Sequence, residues 1–335
     1  MKKMRWALIG AGLIANKRVC PAIISNPYSD LVLIVDKDIS KAQTLSELYG
    51  CENYSSDFED ALKSKDIDAI YIATPVFLHA GQTIAAIRAG KHVICEKPLG
   101  LDFKSAFEVV MEAEKSRVKS TTAYFRRFYP KYRFTEELIK NQKLGKLLLV
   151  RICYHTWFEV EPDSPIYWRT KRKLAGGGII ADMGSHMFDV LIGLFGLPSG
   201  VFAKMRNIVF DYDVEDSSAI LMEYENGPLI TASFNWNSKT YAHEFEIIGT
   251  DAKVRWIPYD GDRISLITGN KTEEIDLPNN KNVHYPLIED FVSSIIENRE
   301  PVISMREAAL TNLLIDACYR SSSEERKIIL KEFDL

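Results

Sequence analysis

"WALIGAGLIA", residues 6–15, decides how the chain is read. Four apolar residues run without a break into Gly10, a second glycine follows at position 12, and a small residue, Ala15, comes three places later. An apolar run of this length ending on glycine reads as a buried strand, and the spaced small residues read as a strand-to-helix turn. Gly10 permits the tight turn, Gly12 lets the backbone come close to a pyrophosphate, and Ala15 lets helix and strand pack together. The free amides at the helix start, around Leu13 and Ile14, suit phosphate oxygens. Asp36 closes the next apolar run, "LVLIV" (31–35), in the position where a carboxylate takes a ribose 2′-hydroxyl. These residues point to a dinucleotide site. Asp36 favours NAD, because a carboxylate repels a 2′-phosphate, while the adjoining Lys37 could offset that repulsion and admit NADP.

Outward from this turn, apolar runs alternate with helix-like segments: 6–10, 31–35, 69–73, 92–95 and, more weakly, 120–124. Continuous apolar strands separated by amphipathic helices predict a parallel sheet covered on both faces, a doubly wound α/β domain over residues 1–122. Beyond it the rhythm changes. Strand-like runs at 147–155, 217–224, 229–236, 244–249, 253–257 and 263–268 follow one another across turn signals such as "ENGP" and "GTDA". Helices are expected near 286–298 and 304–320. Residues 123–335 therefore read as an α+β domain with a large, mostly antiparallel sheet.

The chain's 335 residues are 46% apolar and 26% charged, with a formal net charge of −4, which argues against an electrostatic nucleic-acid binder. Five scattered cysteines, with no CxxC spacing and no clustering with the six histidines, fit a reducing cytoplasm and predict no metal site. The basic, apolar N-terminus mimics a secretory signal, but the glycine spacing explains it better, and no uncharged stretch of ~18 residues predicts a membrane span.

Several further motifs resemble one family. "IYIATPVFLHAGQTIAAIRAGKHVICEKPLG", "FRRFYP", "YWR…LAGGGIIADMGSHMFDVL" and "EAALTNLLIDACYRSS", in that order, are similar to the Gfo/Idh/MocA oxidoreductases, the glucose–fructose oxidoreductase and inositol dehydrogenase family. The resemblance spans nearly the whole chain. It implies a Rossmann domain followed by a sheet domain, NAD(P) as cofactor, and hydride transfer at a carbinol of a sugar or cyclitol. It also implies a homodimer or homotetramer formed through the C-terminal sheet. Residue by residue, it assigns Gly10, Gly12 and Ala15 to the pyrophosphate turn and Asp36 to the adenosine ribose. Thr74, Pro75 and His79 fall in a cofactor-side loop. Glu96, Lys97 and Pro98 match an EKP element with Lys97 at the catalytic lysine facing the nicotinamide, Glu96 beside it for cofactor contact and a cis bond before Pro98. Asp182 and His186 match a paired acid and histidine, and Arg127 and Phe128 match a segment following the last Rossmann strand, with Arg127 and Asp182 expected to meet substrate. Phe125 stands where many relatives carry asparagine or histidine.

Chemistry alone makes these residues a coherent set. Hydride leaves a carbinol carbon as its hydroxyl proton departs, and a histidine near neutrality can take that proton. A lysine ammonium can stabilise the developing alkoxide. His186 is thus the expected base, Lys97 the electrostatic partner and Asp182 an orienter of substrate or histidine, with Lys97 as base the alternative. Asp182 and His186 lie four apart, on one face of an expected helix. "YWRTKRK" (167–173) offers Arg169, Lys171, Arg172 and Lys173 to an anionic substrate group, or else forms a solvated loop, while Tyr167 and Trp168 either stack on a sugar ring or pack in the core. His155, His243 and His284 read as structural or surface residues. Competing functions are an NAD-assisted hydrolase or epimerase that recycles its cofactor, and a non-catalytic sugar or cofactor sensor on the same fold.

Overall fold

Strand β1 (Met4–Ile9) is the apolar run before the glycine turn, and in the computed structural model, which describes residues 3–330, it lies inside a six-stranded sheet. Its companions are β2 (Ser29–Val35), β3 (Asn53–Ser55), β4 (Ala69–Ile72), β5 (His92–Cys95) and β6 (Ser120–Thr122). They run in the order β3-β2-β1-β4-β5-β6 with every neighbouring pair parallel. Trp6 to Ile9, Ala69 to Ile72 and Val93 to Cys95 are buried along their whole length, as strands covered on both faces must be. The covering helices are α1 (Cys20–Ser25), α2 (Ile39–Tyr49), α3 (Phe58–Lys63), α4 (Val76–Arg88) and α5 (Phe103–Glu114). Asp38, Asp57 and Asp102 cap α2, α3 and α5 through their carboxylates, so each helix begins where a side chain can take its free amides. Ahead of α1 the helix widens into a π turn, in which the Cys20 amide reaches back to the Ala15 carbonyl. Pro21, having no N–H, cannot continue an ordinary α ladder there.

The second unit opens with α6 (Pro130–Lys140), then carries β7 (Leu147–Trp157), α7 (Arg172–Ala175) and α8 (Ser185–Phe195). Strands β8 (Gly200–Arg206), β9 (Ser217–Glu223), β10 (Leu229–Asn235), β11 (Asn237–Gly249), β12 (Lys253–Trp256), β13 (Arg263–Thr268) and β14 (Lys271–Asp276) follow. With β15 (Ile328–Ile329) they make a nine-stranded sheet, antiparallel except where β10 runs parallel to β7. Along β7 and β10, Val150, Ile152, Ile230, Ala232 and Phe234 are buried while the alternating residues are more exposed, the pattern of a sheet packed on one face. Three strands escape the apolar pattern. The first is β8, where "GVFAKMR" mixes charge with its alternation; the others are the edge strand β14, "KTEEID", and the two-residue β15. Arg172–Phe195 is long and apolar enough to pass for a membrane span, but 72% of its apolar window is buried, as in a core helix.

The chain divides into units at Phe125, and the second unit is not continuous. Asn280–Ala309 returns to the first unit, and the chain from Leu310 belongs to the second. The returning segment holds α9 (Tyr285–Ile296) and the start of α10 (Met305–Glu324). Its apolar stripe, Leu287, Ile288, Phe291 and Val292, is buried, and α9 packs against α1. The Phe291 ring lies 5.7 Å from that of Trp6 on β1. Sequence order alone assigned α9 to the second domain because the apolar pattern of a helix does not say which sheet it covers. Phe291→Ala is expected to lower stability by about 3–5 kcal/mol, read by chemical denaturation, since it empties a fully buried aromatic site beside Trp6.

Candidate functional site

At the carboxyl end of β1 the chain turns at Gly10, whose φ of +99° is one that glycine adopts freely, and a Cβ there would stand 2.6 Å from the Ala73 carbonyl oxygen. Gly12 differs, because nothing lies within 4 Å of the place its Cβ would occupy. That open backbone, with Leu13 exposed and Ala15 fully buried, fits a turn that receives a pyrophosphate. Asp36, at the end of β2, takes the Ala11 amide on one oxygen (2.7 Å) and the Asp38 amide on the other (2.9 Å), while Lys37 is exposed. A pocket of about 200 Å³ beside the turn is lined by Ala11, Asn16, Ser40, Lys41, Thr44 and their neighbours. These residues suit a dinucleotide, whose nicotinamide carries hydride when bound.

The adjoining strand ends complete this edge of the first unit. Thr74 donates through Oγ1 to Gln82 (2.7 Å), and Pro75 starts α4. His79, expected to face the cofactor, is instead buried, with Nδ1 2.8 Å from the Pro98 carbonyl and Nε2 2.8 Å from the Thr74 carbonyl. It ties the loop after β4 to the loop after β5. Burial holds its pKa below the ordinary value, against the pull of both carbonyls, and a neutral ring donates to one of them at a time. Glu96, expected beside the cofactor, is likewise buried. Its Oε1 accepts from Tyr71 Oη (2.8 Å) and faces His284 Nε2 (3.3 Å), and its Oε2 accepts the Lys97 amide (3.3 Å). Burial opposes its charge, but His284, Tyr71 and the Lys97 ammonium outweigh burial and hold the carboxyl below its usual range. Lys97 is half-buried and precedes a cis peptide to Pro98.

In the second unit, Asp182 does not lie on an ordinary α-helix. The Ser185 amide reaches back five residues to the Ile180 carbonyl, so Ile180–Gly184 forms a π turn leading into α8, on which His186 is buried. The "GGG" entry is packed rather than loose. A Cβ at Gly177 would overlap the Tyr319 hydroxyl, and one at Gly178 the Glu215 carbonyl. Into this space comes the buried Glu215 carboxylate, which accepts the amides of Gly178 (3.1 Å) and Ile180 (3.2 Å) and the Tyr319 hydroxyl (2.8 Å). It thereby caps the helix that carries Asp182 and His186. Burial raises its pKa, although these donors oppose the shift.

Arg169 reaches Asp182 at 3.3 Å, bringing two expected site residues together, and its guanidinium also lies over the Trp168 ring. Lys171 stacks on Tyr167 and Arg172 on Tyr319. Three of the four cations in "YWRTKRK" thus lie over aromatic faces. Arg127, expected to meet substrate, forms a buried two-point pair with Asp189 on α8 (3.0 and 3.1 Å) and so secures that helix. Its neighbour Arg126 makes the same fork with Asp260 (2.7 Å each). Tyr259 donates to the His186 carbonyl at 3.4 Å. His243, 3.9 Å from Asp260, is pushed down to about 4 by burial, with Arg126 and Lys131 adding to the shift against the opposing pull of Asp260. Tyr154 is pushed up to about 12 by burial and by the Asp182 charge. Tyr154, Asp260, Glu215 and His284 carried no local sequence signal. Each became relevant only through partners distant in the chain.

Residues 4–124 match the family described as "Oxidoreductase family, NAD-binding Rossmann fold", and residues 132–255 match "GFO/IDH/MocA C-terminal domain". The 1,5-anhydro-D-fructose reductase of Ensifer adhaerens is 33% identical over 252 residues, covering 75% of this chain and 74% of its own. Inositol 2-dehydrogenase of Rhizobium meliloti (strain 1021) is 27% identical over 337 residues, covering 97% of this chain and 98% of its own. The solved structure of a levoglucosan dehydrogenase in complex with NADH and levoglucosan shares the fold, with a TM-score of 0.88 at 23% identity over 98% of this chain and 100% of that one.

Removing the Glu215 cap is expected to cost stability through the amides it leaves bare, by about 2–4 kcal/mol in Glu215→Ala. The sign of its pH dependence is fixed by the raised pKa. Its stabilising share is complete below the ordinary value of 4.5 and is lost as pH rises through the higher folded value. The stability advantage of wild type over Glu215→Gln should therefore shrink from pH 4 to pH 7 in denaturant titrations. An advantage that grows with pH would contradict this assignment.

Proposed function

The chain belongs to the GFO/IDH/MocA oxidoreductase family, and from that premise we propose that it transfers hydride between a nicotinamide and a carbinol or ketone of a sugar, sugar derivative or cyclitol. It is an enzyme of the dehydrogenase and reductase type with an NAD-binding Rossmann domain. The observation that carries the substrate reading is Lys97. It stands at the carboxyl end of β5, on the sheet edge where the Gly10 turn and Asp36 also lie, which is where open α/β sheets hold their ligands. NAD, when bound, accepts or returns the hydride. Lys97 serves the reacting oxygen with its ammonium, His186 takes or returns the hydroxyl proton, and Asp182, held by Arg169, orients the polar partner.

Relatives named for 1,5-anhydro-D-fructose, inositol and levoglucosan support a polyhydroxylated ring as the substrate class. A reading of the second unit's sheet as the surface of a homodimer or homotetramer is supported by Phe202, Leu221 and Leu229, exposed on neighbouring strands. The scattered, unpaired thiols support a cytoplasmic setting.

Purified protein incubated with NAD or NADP and a panel of sugars, anhydrosugars and cyclitols should form free reduced nicotinamide, read by absorbance. Turnover without its net formation would favour internal recycling. His186→Ala should lower kcat by ~10²–10⁴ while NADH affinity, read by fluorescence titration, stays within a few fold. Unimpaired turnover would remove His186 from the chemistry.

A further inference from the structure

We propose that His284 is a positioning residue for Lys97, acting through the Glu96 carboxylate. The inference rests on the reading of Lys97 given above. His284 reaches the first unit on the returning segment, immediately before α9, and 188 residues separate it from Glu96 in the chain. Both side chains are buried, and Nε2 lies 3.3 Å from Oε1. The other carboxylate oxygen accepts the peptide N–H of Lys97, so one face of Glu96 is set by His284 and the other holds the backbone from which the Lys97 side chain leaves. The imidazole is fixed on its own side. Phe125 packs on it with ring centroids 4.6 Å apart and planes 31° from parallel. The His284 amide donates to Asn282 Oδ1 (3.1 Å), and Asn282 Nδ2 donates to the Arg18 carbonyl (2.8 Å), in the helix that follows the glycine turn.

A residue needed only for packing at 284 would be apolar. Histidine adds a ring nitrogen aimed at a buried carboxylate, which would otherwise keep only Tyr71, the weak peptide donor and the neighbouring ammonium. The titratable groups that face Glu96 are Tyr71, His79, Cys95, Lys97 and His284. Without His284, desolvation has less to oppose it, and Glu96 takes up a proton at higher pH. A protonated Glu96 no longer supplies the negative charge beside the Lys97 ammonium. The nitrogen that would serve the reacting oxygen then sits in a different field. Phe125 forms the apolar wall on which the imidazole rests.

The test begins with wild type. Histidine-labelled full-length protein examined by ¹⁵N NMR should show His284, assigned by its loss in His284→Gln, with a proton on Nε2, as the neutral tautomer or as the cation. An Nδ1–H tautomer would overturn the inference without any variant having to fold. His284→Phe and His284→Gln are then compared by infrared pH titration. A protonated-carboxyl band, absent from the His284→Phe/Glu96→Gln double variant, should appear at higher pH in His284→Phe than in wild type. Gln, whose amide reaches where Nε2 stands, should restore the wild-type titration.

With a substrate returned by the nicotinamide-absorbance screen, kcat of His284→Phe should fall about tenfold or more with KM little changed, the loss of a hydrogen bond to a charge, and its acid limb should move to higher pH. An unchanged infrared titration, or a changed one with unchanged kcat, sinks the positioning role. Lys97→Met separates the two claims. If that variant keeps its turnover, the assignment of Lys97 fails whatever His284 does. If it loses turnover while His284→Phe behaves as wild type, only the present inference fails.

Discussion

A carboxylate carried out of water is costly unless donors and cations meet it on arrival, and the two units of this chain are organised around carboxylates met in that way. Glu96 is met by Tyr71, His284 and the Lys97 amide, Glu215 by two backbone amides and a tyrosine, Asp189 by Arg127 and the part-exposed Asp260 by Arg126. Each arrangement fixes a segment that bears a residue of the proposed chemistry or touches one: the turn of Lys97, the entry to the π turn, the helix of His186, and the loop whose tyrosine touches the His186 carbonyl. An apolar core would have held these segments together as strongly. It would not have set their orientation, because dispersion has little direction and a two-point ion pair has a great deal.

Local pattern made part of this legible. The strand-and-glycine rhythm identified the Rossmann sheet, because strands buried on both faces must be apolar throughout and the turn at Gly10 admits no side chain. The same logic failed where burial is partial. Strand β3 is three residues at an edge, and β14 is charged because its sheet edge faces water. The π turn at Ile180–Gly184 was invisible, since its composition is that of an ordinary helix and only its hydrogen bonding is unusual. Arg127 and Arg126 stand side by side with similar surroundings in sequence, and nothing local shows that each meets an acid far along the chain, buried Asp189 in one case and part-exposed Asp260 in the other.

The basic run before the glycine entry is built on its rings as much as on its charge. Arg169, Lys171 and Arg172 each lie over an aromatic ring, and Arg169 also meets Asp182. The alternation of Tyr, Trp, Arg and Lys in "YWRTKRK" serves an aromatic–cation stack that firms a short 3₁₀ turn. In the glycine entry itself, Gly177 and Gly178 leave the space that Tyr319 and Glu215 fill.

The return of Asn280–Ala309 to the first unit bears on the order in which the protein can be made. A domain confined to the first 125 residues could close as it left the ribosome, but Trp6 on the earliest strand waits for Phe291, and Glu96 waits for His284. Until then the nascent sheet carries an uncovered apolar flank and a carboxylate lacking one of its partners, while the whole second unit through β14 is being synthesised. Translation of the last helices thus completes both units almost together. The price is long exposure of a sticky intermediate, and the return is that a truncated chain cannot build the seat of Lys97.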